Sequence, residues 1–423
     1  LDEVPSSSAL AQIVIQELKA RIPIVTLVKD DKVLDTYIYQ DGVYVKGEKT
    51  LRSIYYEILR KLGITERVRR YSSYASDFSR MLVDSTLANV ELKEHIVIYG
   101  NEALDWKSFI YDEIYGEKPL LFPPSPEIFS VHKVPWRLEK EILMRNPAEI
   151  YDSFYNETAI SRIFEKWAGD KWPLLLEIVG YCLLAGDYPF NKAVMIYGPE
   201  NAGKSTFLWL LGRLLGEENV SHVPLQKLTS EADRFSAFEL YHKMANIYSD
   251  IPKMGIKETG KFKMLTGEDY IMAERKFKDP ISFKNYAKMI FSANELPEVD
   301  DMTGAFWRRW IVIEFKSKFE QNPGFKRTLE EELLKDEAGK ILSYGLLAVK
   351  NVFIRGSFYG EGTATDYKEL WLRKSNSVYA FISIGKEEKW LEEGENKKAM
   401  SSELYGLYVR WCDIEGREKV THK

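Results

Sequence analysis

MIYGPENAGKSTFLWLLGRLLG (residues 195–216) decides how the chain is read. The apolar run from Ala193 to Tyr197 has the length and composition of a buried strand. From Lys204 onward, Phe207, Leu208, Leu211, Leu214 and Leu215 recur at helical spacing. Between them Gly198, Pro199, Glu200, Asn201, Ala202, Gly203, Lys204, Ser205 and Thr206 form a glycine-rich loop between strand and helix, the order that a phosphate-binding loop requires. Gly198 and Gly203 let the backbone turn its N–H groups and a helix N-terminus toward phosphate oxygens. Lys204 is expected to reach the β and γ oxygens, and Ser205 to hold Mg²⁺. From average composition this spacing arises by chance in about one chain of this length in a hundred.

Downstream elements narrow the chemistry. KMANIYSDIP (243–252) reads as a strand ending at Asp250, a carboxylate for Mg²⁺ or the attacking water. AKMIFSANELP (287–297) is a second buried strand ending at Asn294, whose amide can orient water without competing for the metal. GAFWRRWIVIEF (304–315) sets Arg308 and Arg309 before another apolar strand, positioned to neutralise charge in phosphoryl transfer on a neighbouring subunit. The segment 253–288 holds nine basic and five acidic residues, opposite in sign to the chain's net charge of −5. It reads as two strands, Tyr270 to Glu274 and Ile281 to Tyr286, around the turn RKFKDP. That tip would present Arg275, Lys276, Phe277 and Lys278 to phosphates and bases, or stand as an exposed basic hairpin without a ligand.

The chain has 423 residues, 45% of them hydrophobic, enough for two or three domains with full cores. The charge balance excludes a protein that coats nucleic acid by overall basicity. Two cysteines, Cys182 and Cys412, point to a reducing, cytoplasmic setting rather than a disulfide or zinc framework. The longest apolar stretch, 173–186, is interrupted by Glu177 and falls short of a membrane span, so no membrane partner is expected. Residues 21–50 alternate like β-hairpins with turns at Asp30-Asp31 and Asp41-Gly42, and 51–89 turns helical. The basic cluster Arg60, Lys61, Arg67, Arg69 and Arg70 there reads as DNA-contacting or as a solvated helix face. The proline-rich segment 116–136 reads as an ordered connection. Leu1 and the polar DEVPSSS suggest a piece of a longer polypeptide.

Taken in order, GPENAGKST, NIYSDIP, LTGEDYIMAERKFKDPISF, FSANELP and FWRRWIVIEF resemble the superfamily 3 helicases, in particular the plasmid and phage primase-helicases and poxvirus replication proteins. The match spans about 192–315, with weaker likeness over most of the chain. The resemblance implies an α/β fold: a P-loop AAA+-like core with a parallel sheet, preceded by a small α+β N-terminal domain (1–130). The core with its helical lead-in covers 131–325. A helical region (326–423) follows, where SSELYGLYVRWCDIEGRE is similar to the opening of a winged helix.

It further implies a homo-oligomeric ring, usually a hexamer, that hydrolyses ATP with Mg²⁺ at subunit interfaces. Such a ring moves on single-stranded DNA, 3′ to 5′, at a replication fork or origin, with a primase or other domain linked in the parent protein. Lys204 and Ser205 would bind phosphates and metal, Asp250 would be the Walker B acid, Asn294 the sensor, and Arg309 ahead of Arg308 the arginine finger. Lys276 and Lys278 would meet DNA. Many members end the Walker B strand in two acids, whereas Ser249 precedes Asp250 here; Glu200 and Glu295 stand as substitutes for the base. The alternative to a DNA motor is a nucleotide-gated assembly switch that unwinds nothing.

Overall fold

The computed structural model describes residues 5–29, 32–64, 71–88, 91–111, 120–276, 278–320, 322, 324–395 and 397–421. The chain divides into two compact units, one of residues 1–140, 184–186 and 274–281, the other of 141–183, 187–273 and 282–423.

In the first unit β1 (Ile24–Lys29), β2 (Lys32–Gln40) and β3 (Val43–Lys46) form an antiparallel meander, and β4 (Leu87–Ala88) lies parallel to β1. Asp41 and Gly42 join β2 to β3 with φ of 52° and 87°. Positive φ at both central residues suits a tight turn between twisted strands, which explains the Asp-Gly pair. Helices Ser7–Arg21, Glu48–Lys61 and Tyr71–Thr86 bury Leu10, Ile15, Leu51, Leu59 and Leu82 in one core, where Tyr55 stacks on Phe78 at 4.1 Å. A smaller sheet follows: β5 (Ile96–Tyr99) between β6 (Glu102–Asp105) and β7 (Lys133–Val134). The segment expected to be only a connection thus contributes a strand, because Lys133 and Val134 complete the edge of β5. The Asp30-Asp31 turn and Arg67, Arg69 and Arg70 lie outside the described residues.

The second unit is built on β8 (Ala193–Tyr197), β9 (Val220–Ser221), β10 (Ala245–Tyr248), the outer parts of the hairpin strands β11 (Tyr270–Arg275) and β12 (Lys278–Lys284), whose residues 274–281 count with the first unit, β13 (Lys288–Ala293) and β14 (Trp310–Glu314). Apart from the β11-β12 pair these make one sheet, ordered β14-β8-β13-β10-β9, with every neighbour parallel. Strands buried on both faces have no reason to alternate, and AVMIY and KMIFSA are buried at every position.

Helix Trp172–Cys182, the lead-in to this sheet, packs on helix Lys335–Arg355. A methyl group on Gly180 would stand 1.9 Å from the Gly345 carbonyl oxygen, so the two backbones touch. The carboxylate that interrupts the apolar lead-in is fully buried: Glu177 accepts from Arg355 at 2.6 Å, from the Tyr359 amide at 2.6 Å and from the Tyr151 hydroxyl. Burial raises its pKa and these three donors oppose the shift. A charge is tolerated at this depth because it is paired and hydrogen-bonded. After a wide π turn, Leu329–Leu334, and the long helix, the tail continues as helices Ala364–Ser375, Ser377–Glu387 and Ser401–Glu415. Cys182 and Cys412 are buried free thiols, and among the described residues no helix is long and apolar enough to cross a membrane.

Candidate nucleotide site and basic hairpin

The parallel sheet gathers the carboxyl ends of β8, β13 and β10 along one edge, where open α/β sheets bind ligands. Because β13 lies between β8 and β10, Asn294 leaves the sheet between the phosphate loop and Asp250. Lys204 is 4% exposed, and its Nζ donates to the Gly198 oxygen at 2.7 Å, the Pro199 oxygen at 2.7 Å and Asn294 Oδ1 at 2.8 Å. Two residues ninety positions apart thereby meet at one ammonium group. Burial lowers the Lys204 pKa; Asp250 and then Glu200 pull it back up, so both carboxylates act on the same charge.

Both loop glycines answer to geometry. Gly198 has φ of 150°, and a Cβ there would lie 2.1 Å from the Phe315 oxygen; Gly203 has φ of 93°, and its Cβ would lie 2.2 Å from the Trp167 indole nitrogen. Asn201 also adopts a left-handed φ, 60°, which Asn tolerates better than most residues. Gly203 starts the twelve-residue helix Lys204–Leu215, whose first N–H groups have no partner within the helix and so favour an anion. Ser205 and Glu200 are exposed, Thr206 is half-buried, and Ala202 is buried.

Asp250 lies two residues past the end of β10, exposed, with φ of 55°. The next amide, Ile251 N–H, donates to the Ser292 oxygen at 2.9 Å and ties this segment to β13. Glu295 pairs with Lys253 at 2.9 Å. Among the described residues no group of three His, Cys, Asp or Glu side chains converges on one point. A loop that leaves no room for a Cβ, with a serine hydroxyl and one carboxylate beside it, suits Mg²⁺ carried in with a phosphate ligand rather than caged by protein.

Arg308 and Arg309 follow the short helix Gly304–Trp307 and diverge. Arg309 is half-buried and its Nη1 donates to the Ala305 oxygen at 2.5 Å. Burial, then Arg308, lowers its pKa, with Asp269 opposing. The Arg308 side chain is exposed.

The hairpin departs from its expected shape. Strand β11 runs on to Arg275 and β12 begins at Lys278, so Asp279 and Pro280 belong to a strand and not to the turn. Arg275 is therefore a strand residue, 8% exposed, donating to the Asp279 oxygen at 2.9 Å and the Leu34 oxygen at 3.2 Å, with Asp35 3.9 Å away. Lys278 pairs with Asp35 at 3.0 Å and Glu48 at 3.4 Å. Lys276 is exposed, and Phe277 lies outside the described residues. On the hairpin's open face are Tyr270, Met272 and Lys284, with the Lys284 ammonium 5.3 Å from the Tyr270 ring centre, a contact the sequence did not reveal.

Comparison with known proteins gives a limited setting for this site. Residues 196–309, from β8 through Arg309, match a family of unknown function, DUF5906. A protein of Acanthamoeba polyphaga mimivirus named "Putative helicase L207/L206" is 28% identical over 165 residues, 37% of this chain and 17% of the viral protein. The chain thus matches less than a fifth of that relative's length. Two solved structures, both described as apo forms of the NrS-1 C-terminal region, superpose with a TM-score of 0.42 at 14% identity, each over 99% of this chain and 92% of the other. At that score the likeness carries no functional argument. The similarity established is helicase-like and weak, on an α/β chain with a parallel sheet and a P-loop-like corner.

Proposed function

We propose that the chain is an ATP-hydrolysing motor of the superfamily 3 helicase type, a replication protein that acts on single-stranded DNA as a ring, typically a hexamer moving 3′ to 5′. The observation that carries this reading is the hydrogen bond between Lys204 and Asn294, with Asp250 acting on the same ammonium. A lysine held by carbonyl and amide oxygens can exchange them for phosphate oxygens when a triphosphate enters the loop. Asn294 is then released to orient the attacking water, and it reports γ-phosphate occupancy to β13. Asp250 accepts the water's proton, or would hold the water shell of a metal for which Ser205 would supply a hydroxyl ligand. When bound, Mg²⁺ would offset the charge that develops on the phosphate oxygens.

Arg308 is the finger that suits the exposed geometry, because Arg309 is already bonded within its own chain. The weak homology to a viral protein called a helicase, and a hairpin whose open face carries Lys284 and Tyr270, favour DNA over a stand-alone switch. Cations track phosphates and an aromatic ring stacks on bases.

The test is ATPase rate against protein concentration, with and without single-stranded DNA, for the unaltered chain, Lys204→Ala and Arg308→Ala. A rate per chain that climbs with concentration and with DNA, lost in both variants and restored when they are mixed, supports a shared-interface motor. A rate indifferent to concentration and DNA, with Arg308→Ala fully active, leaves a P-loop switch.

A further inference from the structure

Beside the phosphate loop lies a cavity of about 790 Å³ that the phosphate chemistry does not use. Ile163 and Trp167, one turn apart on helix Ile160–Ala168, form one wall. Phe319 and Phe325, on the segment that leaves β14, also line it, as do Asn201, Gly203 and Thr206 of the loop. The cavity therefore opens directly off the loop. Its volume lies within the roughly 300–1,000 Å³ typical of small-molecule sites.

We propose that this cavity seats the purine base of the nucleotide whose phosphates occupy the loop, with Phe319 and Phe325 as its stacking surfaces. The proposal rests on the loop binding a triphosphate, since a base can reach these walls only from that anchor. Trp167 is the fixed wall: it is 4% exposed, packed parallel to Phe315 at 6.1 Å and against Phe207, and it sits on Gly203. Phe319 and Phe325 are only half-buried, so each retains ring surface for a flat ligand. Phe319 is registered to the phosphate site by its own backbone, whose N–H donates to the Asn201 oxygen at 3.0 Å. Phosphate binding and base binding thus share one piece of loop.

The polar residues at the rim are Lys166, Glu320, Asn322 and Lys326, and all four are exposed. Asn322 Oδ1 already accepts from the Gly324 amide at 3.1 Å. Strong discrimination between bases needs buried polar groups left unpaired by the wrong ligand. With none among the described lining, the cavity selects a large flat ring over a small one and reads the edge of the ring poorly. Adenine and guanine nucleotides are accepted alike, and pyrimidine nucleotides bind more weakly.

Calorimetric titration of the full chain with ATP, GTP, CTP and inorganic triphosphate, each with Mg²⁺, tests this. ATP and GTP are expected within about threefold of each other, and at least tenfold tighter than inorganic triphosphate, with CTP between. Phe319→Ala and Phe325→Ala should remove most of the ATP advantage while leaving triphosphate affinity unchanged, and Phe319→Tyr should restore it. Triphosphate binding as tightly as ATP in the unaltered chain overturns the base site and leaves the phosphate loop standing. Equal losses for ATP and triphosphate in the Phe variants also overturn it, by assigning their effect to the Asn201 tether. If neither ligand binds, the loop reading fails and the base site fails with it.

Discussion

The glycine-rich corner and the tip of the hairpin each hold a lysine, and they hold it in opposite ways. Lys204 is held by three neutral oxygens, with carboxylates acting on it only from a distance. Lys278 is held by two carboxylates, Asp35 and Glu48, while Arg275 beside it donates to backbone oxygens with Asp35 3.9 Å away. A cation resting on carbonyls keeps its net charge for an incoming anion. A cation resting on a carboxylate must first give up an ion pair, so its electrostatic pull is partly spent within the fold. The first arrangement suits an incoming anion; the second leaves less of the charge for one.

The largest expected effect tests the first half of the contrast. Lys204→Ala should lower ATP turnover by at least about a hundredfold, the scale on which removal of one preorganised charge-stabilising donor acts. Far-ultraviolet dichroism and the thermal midpoint should change little, because the three oxygens it leaves are ordinary carbonyl and amide groups. A large loss of stability would mean that Lys204 is structural.

A middle-sized effect tests the second half. Asp35→Asn should loosen Lys278 and tighten single-stranded DNA binding about threefold to tenfold at low salt, read by fluorescence anisotropy. The slope of log affinity against log salt should steepen by about 0.7 for each phosphate newly neutralised. Unchanged affinity and slope would show that the hairpin cations are structural, and would confine DNA contact to the open face or to another surface.

The smallest effect concerns Asp301, which holds a cation but is itself held by neutral donors. Burial by itself would raise its pKa; hydrogen bonds from the Thr259 hydroxyl, the Thr303 hydroxyl and amide, and Lys263 overcome this and hold it well below the usual carboxylate range. A carboxyl depressed in the fold gives stability that is complete above the unfolded pKa of about 4 and is lost as pH falls below it. The thermal midpoint of Asp301→Asn should therefore lie below that of the unaltered chain at pH 7, with the gap narrowing below about pH 4. A gap independent of pH would assign Asp301 to packing alone.

Legibility from sequence followed the range of the interactions. Strands β8, β10, β13 and β14 were readable because each is a local run of four to six residues with its own turn signals. The order of those strands was not, since parallel neighbours are joined through crossovers and no local pattern says that β13 separates β8 from β10. The hairpin turn was drawn too wide because Asp279-Pro280 looks like a turn. In a two-stranded sheet each strand has a free edge, and proline is tolerated there. Which of two adjacent arginines turns inward is set by the Ala305 carbonyl four residues earlier, a choice invisible in the letters RR. Trp167 and Phe319 lie outside the motifs and carry no mark beyond being aromatic.

The Gly180 and Gly345 contact sets the smallest portable piece of this molecule. Helices Trp172–Cys182 and Lys335–Arg355 touch at their backbones and share the Glu177 and Arg355 pair, yet both lie outside 196–309, the stretch that matches a known family. Cutting the chain at the ends of that stretch would expose the lead-in helix's apolar surface and strand a buried carboxylate without its guanidinium. The transferable cassette runs from before Tyr151 to beyond Tyr359, so its natural seams are helical and the motifs lie deep inside it.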